Sequence, residues 1–344
     1  YELAKQELKR DLKNRHVQLI AIGGTFGTGL FLGSGKAIQL AGPSILFSYL
    51  IIGIALFFVM RALGELLLSN AGYASFTEFA TKYVGPWAGF VTGWTYWFCW
   101  IMTAMADIIA VGVYIQYWFD VPQWIPALIC LVILLGLNLL TVKIFGELEF
   151  WFAIIKVITI IALIIVGIFL LIIGFNTNTG TVSLTNLWNH GGMFPNGISG
   201  FLLSLQLVVF SFVGVELVGV SAAETANPRK NIPSAINKIP VRILLFYVGA
   251  IFVILCVNPW TQLDATSSPF VEVFALIGIP IAAGIINFVV LTTAASAGNR
   301  GLFSTSRILY TLSRNGEAPA KLEKLNKQAV PSNALLTSTI VVSI

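Results

Sequence analysis

Gly23-Gly24-Thr25-Phe26-Gly27-Thr28-Gly29 places four glycines in seven residues near the middle of an apolar run from Val17 to Leu40. That run matches the roughly 20 residues a helix needs to cross a bilayer core. Glycine costs a helix roughly 1 kcal/mol against alanine and lets backbones approach closely, so the stretch predicts a break in the span at bilayer depth. Backbone groups freed there have to be satisfied by protein, water or ligand, and a half-helix starting between Gly27 and Gly29 aims its positive end at an anion such as a carboxylate. A second stretch, Phe210-Ser211-Phe212-Val213-Gly214-Val215-Glu216, again brings glycine and an acid to the middle of an apolar run, the sixth in chain order. Breaks in the first and sixth spans are what two inverted five-helix repeats produce, with a binding site at their interface. The competing reading is that these glycines only let neighbouring helices pack closely, as small residues do in membranes.

Working outward, the composition defines an all-α polytopic membrane protein. Of the 344 residues, 57% are hydrophobic and 10% charged, and the mean hydropathy is +0.88, far from soluble averages. Spans are expected at Val17 to Leu40, Pro43 to Leu68, Ala88 to Trp118, Trp124 to Val142, Trp151 to Phe175, Gly197 to Ala222, Pro240 to Trp260 and Pro280 to Leu312. A ninth begins near Asn333, and its apolar run stops at Ile344 too early to cross, so the chain is expected to be truncated there. Residues 1–16 read as a cytoplasmic segment and 17–344 as a membrane transport domain. Lysines and arginines gather on one side of this arrangement, whereas the loops after spans three, five and seven have none. The positive-inside rule then puts the amino terminus in the cytoplasm. This distribution explains the net charge of +5 and gives no basis for nucleic-acid binding. Cys99, Cys130 and Cys256, with His16 and His190, indicate neither a disulfide framework nor a metal site.

The motifs Gly24-Thr25-Phe26-Gly27-Thr28-Gly29-Leu30-Phe31, Met60-Arg61-Ala62-Leu63-Gly64-Glu65, and Phe212-Val213-Gly214-Val215-Glu216 with Ala223-Glu224-Thr225 resemble those of amino acid permeases. The family meant is that of the amino acid, polyamine and organocation superfamily. Gly93-Trp94-Thr95-Tyr96-Trp97-Phe98-Cys99-Trp100, Phe145-Gly146-Glu147 and Phe303-Ser304-Thr305-Ser306-Arg307 look like permeases for glycine, D-alanine and D-serine. The resemblance implies twelve helices in a leucine-transporter-like fold and proton-coupled uptake of a small amino acid across the plasma membrane, with no cofactor beyond the coupling proton. It also implies that the substrate carboxylate rests on backbone amides near Gly27, Thr28 and Gly29. The ammonium would meet carbonyls of Thr25, Phe210, Ser211 and Val213, with Phe212 as a lid. Arg300 departs from the pattern, which leads one to expect a small polar residue there.

Ionisable residues inside spans are costly and therefore candidates for function. Lys156, in the fifth span, stands where the resemblance places a lysine in lieu of a sodium site, which implies that it couples protons by bonding carbonyls of spans one and eight when charged. The alternative is a lysine that snorkels to the cytoplasmic face. Glu216 either takes a proton or caps free amides of the sixth-span break. Asp107 is expected to pair with Arg300 or to sense protonation in the coupling step, Glu65 to form an i, i+4 pair with Arg61, and Glu224 to join a cytoplasmic gate with Arg15 or Arg307. No nucleophile, metal or phosphate motif supports an enzyme. The alternatives are a permease for another neutral amino acid, a receptor that binds an amino acid without moving it, and a channel, which would call for a continuous polar lining rather than two broken helices around one site.

Overall fold

The computed structural model describes residues 26–69, 76–140, 142–216, 233–234, 236–278 and 280–344. Span one enters this region with Gly27 extended (φ −116°, ψ −166°), winds as helix over Thr28–Phe31, bends at Leu32 and continues over Gly33–Ala41. The half-helix therefore starts where the glycines predict; Gly23, Gly24 and Thr25 lie outside the described residues. Pro43, in a short 3-10 turn, leads into span two at Ile45–Ser69. Span three covers Pro86–Ile115, span four Trp124–Asn138 and span eight Pro280–Arg314.

Span five runs over Val142–Ile173 and starts nine residues before the expected Trp151. The charges at Lys143, Glu147 and Glu149 suggest a loop, yet Glu149 is buried and paired within the protein, which removes the objection to a helix there. Span six is helical over Gly197–Phe210 and turns over residues 211–216; its expected end at Ala222 lies outside the described residues. Span seven is helical from Ile239 to Val257, with a π-helical stretch at Ile243–Gly249 in its interior. The ninth helix is Ser332–Val342.

Three smaller elements escape a search for long apolar runs. They are an amphipathic helix at Phe76–Tyr83, a hairpin pairing Asn176–Thr177 with Gly180–Thr181, and a helix at Pro269–Leu276 between spans seven and eight. Among the described residues five helices are long and apolar enough to cross a membrane, and three shorter apolar helices accompany them. Ile172, Ile198 and Ile281 are each more than 70% exposed, the expected exterior for a fold bathed in hydrocarbon. Spans three and eight pack along their length. There Gly301 permits close approach, since a β-carbon on it would lie 2.7 Å from that of Ala104.

Candidate functional site

The site grows from the two irregular backbones. The first turn of a helix leaves its amides without intrahelical acceptors, and in span one these belong to Thr28 and Gly29, because Leu30 N and Phe31 N already reach Gly27 O (3.2 and 3.3 Å). In span six the ladder tightens to i to i+3 bonds past Val208, and Gly214 adopts φ +104°. The two breaks touch at Gly29, where a β-carbon would stand 2.7 Å from Ser211 Cα and 2.9 Å from Phe210 O. Position 29 is thus bare because span six fills the space beside it.

A small pocket of about 20 Å³ opens at this crossing. Span one contributes Gly27, Thr28 and Gly29, and span six Phe210, Ser211 and Val213. Span three supplies Trp100, Thr103 and Asp107, and span eight Ala297 and Arg300. Six of the residues singled out for substrate contact therefore line one cavity. Thr25 lies outside the described residues. Phe212, expected as a lid, turns into the core, stacked on Tyr247 (centroids 4.6 Å) and edge-on to Tyr49. Two phenols brace the span-six break: Tyr247 donates to Ser211 O (3.1 Å), and Tyr49 Oη and Ser211 Oγ share a hydrogen bond of 3.2 Å. A carbonyl oxygen has two lone pairs, so Ser211 O keeps one for a ligand.

The ionisable residues fall into two groups. In the pocket wall, Asp107 Oδ1 accepts a 2.5 Å hydrogen bond from Thr28 Oγ1, tying span three to the start of the span-one helix. Its Oδ2 is buried without a hydrogen-bond partner among the described residues. Arg300, expected to pair with Asp107, is instead ion-paired through Nε to Glu149 Oε2 at 3.5 Å. The physical reason is the early start of span five, which brings Glu149 against span eight. Glu216 Oε2 accepts from Gly214 N (2.9 Å) and Oε1 from Tyr96 Oη (3.3 Å), so this acid caps the span-six turn.

Behind the wall, Lys156 Nζ donates to Ser296 Oγ (2.9 Å), whose hydroxyl lies within 3.0 and 3.2 Å of the two Glu149 oxygens. Asn299 Nδ2 also donates to Glu149, and Asn138 Nδ2 donates to Asn299. Lys156 is 1% exposed and its Nζ bonds within the protein, which speaks against a snorkelling lysine. Its partner on span eight is a hydroxyl rather than the expected carbonyl. Glu149, Ser296, Asn299 and Asn138 were missed as site residues; the available signal was polar side chains inside apolar runs, which need partners when buried. Arg61 and Glu65 form the expected i, i+4 pair at 3.5 Å on an exposed face. Glu224 and Arg15 lie outside the described residues, and Arg307 stacks on Phe303. Among the described residues no group of acids, histidines and cysteines is arranged to hold a metal.

Two broken spans enclosing a pocket with spans three and eight define a membrane transporter of the leucine-transporter-like fold. The fold is shared with a Na+-coupled sialic acid symporter solved in a substrate-bound outward-open state, at TM-score 0.69 and 11% identity, covering 97% of this chain and 72% of that one. A family model described as amino acid permease matches residues 16–344. The chain is 64% identical over 341 residues to Amino-acid permease AapA of Bacillus subtilis (strain 168), covering 99% of this chain and 74% of the relative. It is 58% identical over 339 residues to the D-serine/D-alanine/glycine transporter of Escherichia coli (strain K12), covering 98% and 72%. The chain belongs to the amino acid permease family and is a multi-pass membrane transporter of amino acids, not an enzyme.

Proposed function

We propose that this transporter carries a small neutral amino acid, of the glycine, D-alanine and D-serine class, into the cell by proton symport, from a plasma membrane in which its amino terminus is cytoplasmic. The observation that carries the substrate class is the small pocket between the two breaks. Free amides of Thr28 and Gly29 on one side and the carbonyls of Phe210, Ser211 and Val213 on the other suit a zwitterion. The relative described as a D-serine/D-alanine/glycine transporter supports the same class. Spans one, two, six and seven move as a bundle against the remaining scaffold.

Proton coupling is assigned to Lys156, with Asp107 and Glu216 as further protonatable groups. A charged Lys156 draws span eight to span five through Ser296 and Glu149; a neutral one loosens this contact, which biases the two access states. The test is uptake of labelled glycine or D-alanine into reconstituted vesicles with and without an inward proton gradient, alongside exchange at equilibrium. Lys156→Ala is expected to lose gradient-driven accumulation while retaining part of its exchange. Accumulation like that of wild type would remove Lys156 from the coupling step, and absence of any saturable exchange in wild type would overturn the substrate assignment.

A further inference from the structure

The pocket wall holds buried polar atoms of opposite hydrogen-bonding sense without hydrogen-bond partners among the described residues: the donors Arg300 Nε, Arg300 Nη1 and Trp100 Nε1, and the acceptor Asp107 Oδ2. Arg300 is 3% exposed and Asp107 1% exposed, and both line the cavity between the broken spans. Thr28 holds Asp107 Oδ1, and Glu149 ion-pairs with Arg300 Nε at 3.5 Å without a hydrogen bond. A buried polar group without a partner costs about 1 to 3 kcal/mol, more when charged, and such a group in a native structure calls for an explanation.

We infer that Arg300 and Asp107 form a hydroxyl-reading subsite, in which the side-chain oxygen of a serine-like substrate accepts from Arg300 and donates to Asp107. This rests on the reading of the pocket as an amino acid site and deepens it. The backbone breaks serve the carboxylate and ammonium that all amino acids share, while Ala297 and Arg300 of span eight with Thr103 and Asp107 of span three face the remainder of the cavity. A hydroxyl donates and accepts at once; a methyl side chain does neither. An acidic side chain fits less well on charge. Asp107 and Glu149 balance Lys156 and Arg300 when all four are ionised, and Glu216 adds a further acid close by, so no surplus cation awaits a second carboxylate. Glu149 acts on substrate only by holding Arg300 and is a positioning residue.

The experiment is competitive binding to the purified protein in detergent, with both enantiomers of serine, alanine and O-methylserine displacing labelled glycine. The better-bound serine enantiomer is expected to exceed the matching alanine by about tenfold or more, the scale of a hydrogen bond to a charged group. O-methylserine, which cannot donate to Asp107, is expected to fall to or below alanine. These measurements need no variant and so do not depend on one folding. Arg300→Met combined with Glu149→Gln removes the guanidinium without stranding a buried charge, and the serine-to-alanine ratio is expected to fall to about one. Alanine binding as tightly as serine in wild type, or an unchanged ratio in the folded double variant, overturns the subsite. Equal loss of serine and alanine in that folded variant does so too, and assigns Arg300 to the shared carboxylate. If glycine itself does not bind wild type, the failure lies with the amino acid reading of the pocket, and the subsite falls with it.

Discussion

Glycines 27 and 29 sit two residues apart and do different work. Among the described residues a β-carbon at Gly27 would have only Ala297 nearby, at 3.8 Å, whereas one at Gly29 would collide with the span-six backbone. Overpacking of this kind costs about 1 to 3 kcal/mol where backbone has to move. Gly29→Ala is therefore expected to lower the melting temperature of the detergent-solubilised protein, and Gly27→Ala to leave it near that of wild type. Equal melting temperatures for the two variants would show that the breaks do not touch as described. The buried acid Glu149 allows a second comparison. Glu149→Ala leaves Arg300 unpaired in the interior and is expected to cost about 3 to 5 kcal/mol. Glu149→Gln keeps an oxygen for Ser296 or Asn299 and is expected to fall between wild type and alanine in a thermal-shift series. An alanine variant as stable as wild type would mean that water or another group already screens Arg300.

Among the elements, the position of the breaks was legible because glycine propensity is local: Gly27 to Gly29 starts a helix and Phe210 ends one. The start of span five was not, because its charges are satisfied only through span eight, a pairing that no hydropathy pattern records. The same gap hid the Glu149–Arg300 pair and led to the expectation that Asp107 held the arginine. Phe212 shows the limit from the other side, since its neighbours Ser211 and Val213 line the pocket while its own ring faces the core. Orientation within an unwound turn follows from backbone angles rather than helical period. That turn yields its own prediction. Gly214 has φ +104° and donates to Glu216, so Gly214→Ala is expected to cost about 1 to 3 kcal/mol in strain. Glu216→Gln, which still offers an acceptor oxygen, is expected to be milder than Glu216→Ala. Circular dichroism melts of the three variants check the order.

For the whole molecule, the alternation of charged and uncharged loops predicts sidedness, and the structure offers sites at which to test it. Asn178, exposed in the hairpin after span five, belongs to the face expected outside, and Lys324, exposed between spans eight and nine, to the cytoplasmic face. With Cys99, Cys130 and Cys256 replaced, Asn178→Cys is expected to react with an impermeant maleimide on intact cells, and Lys324→Cys only after permeabilisation. The reverse pattern would invert the molecule.

The π-helical stretch of span seven bears on all of this. It contains Tyr247, one of the two phenols anchored on Ser211. Because π winding carries an i to i+5 ladder in place of the ordinary i to i+4 one, the stretch stores spare chain within an otherwise regular helix. Rewinding it to α geometry would swing Tyr247 about the helix axis and withdraw its hydroxyl from the span-six carbonyl, returning that lone pair to whatever occupies the pocket. The winding of span seven thereby sets where the Tyr247 hydroxyl meets the span-six break.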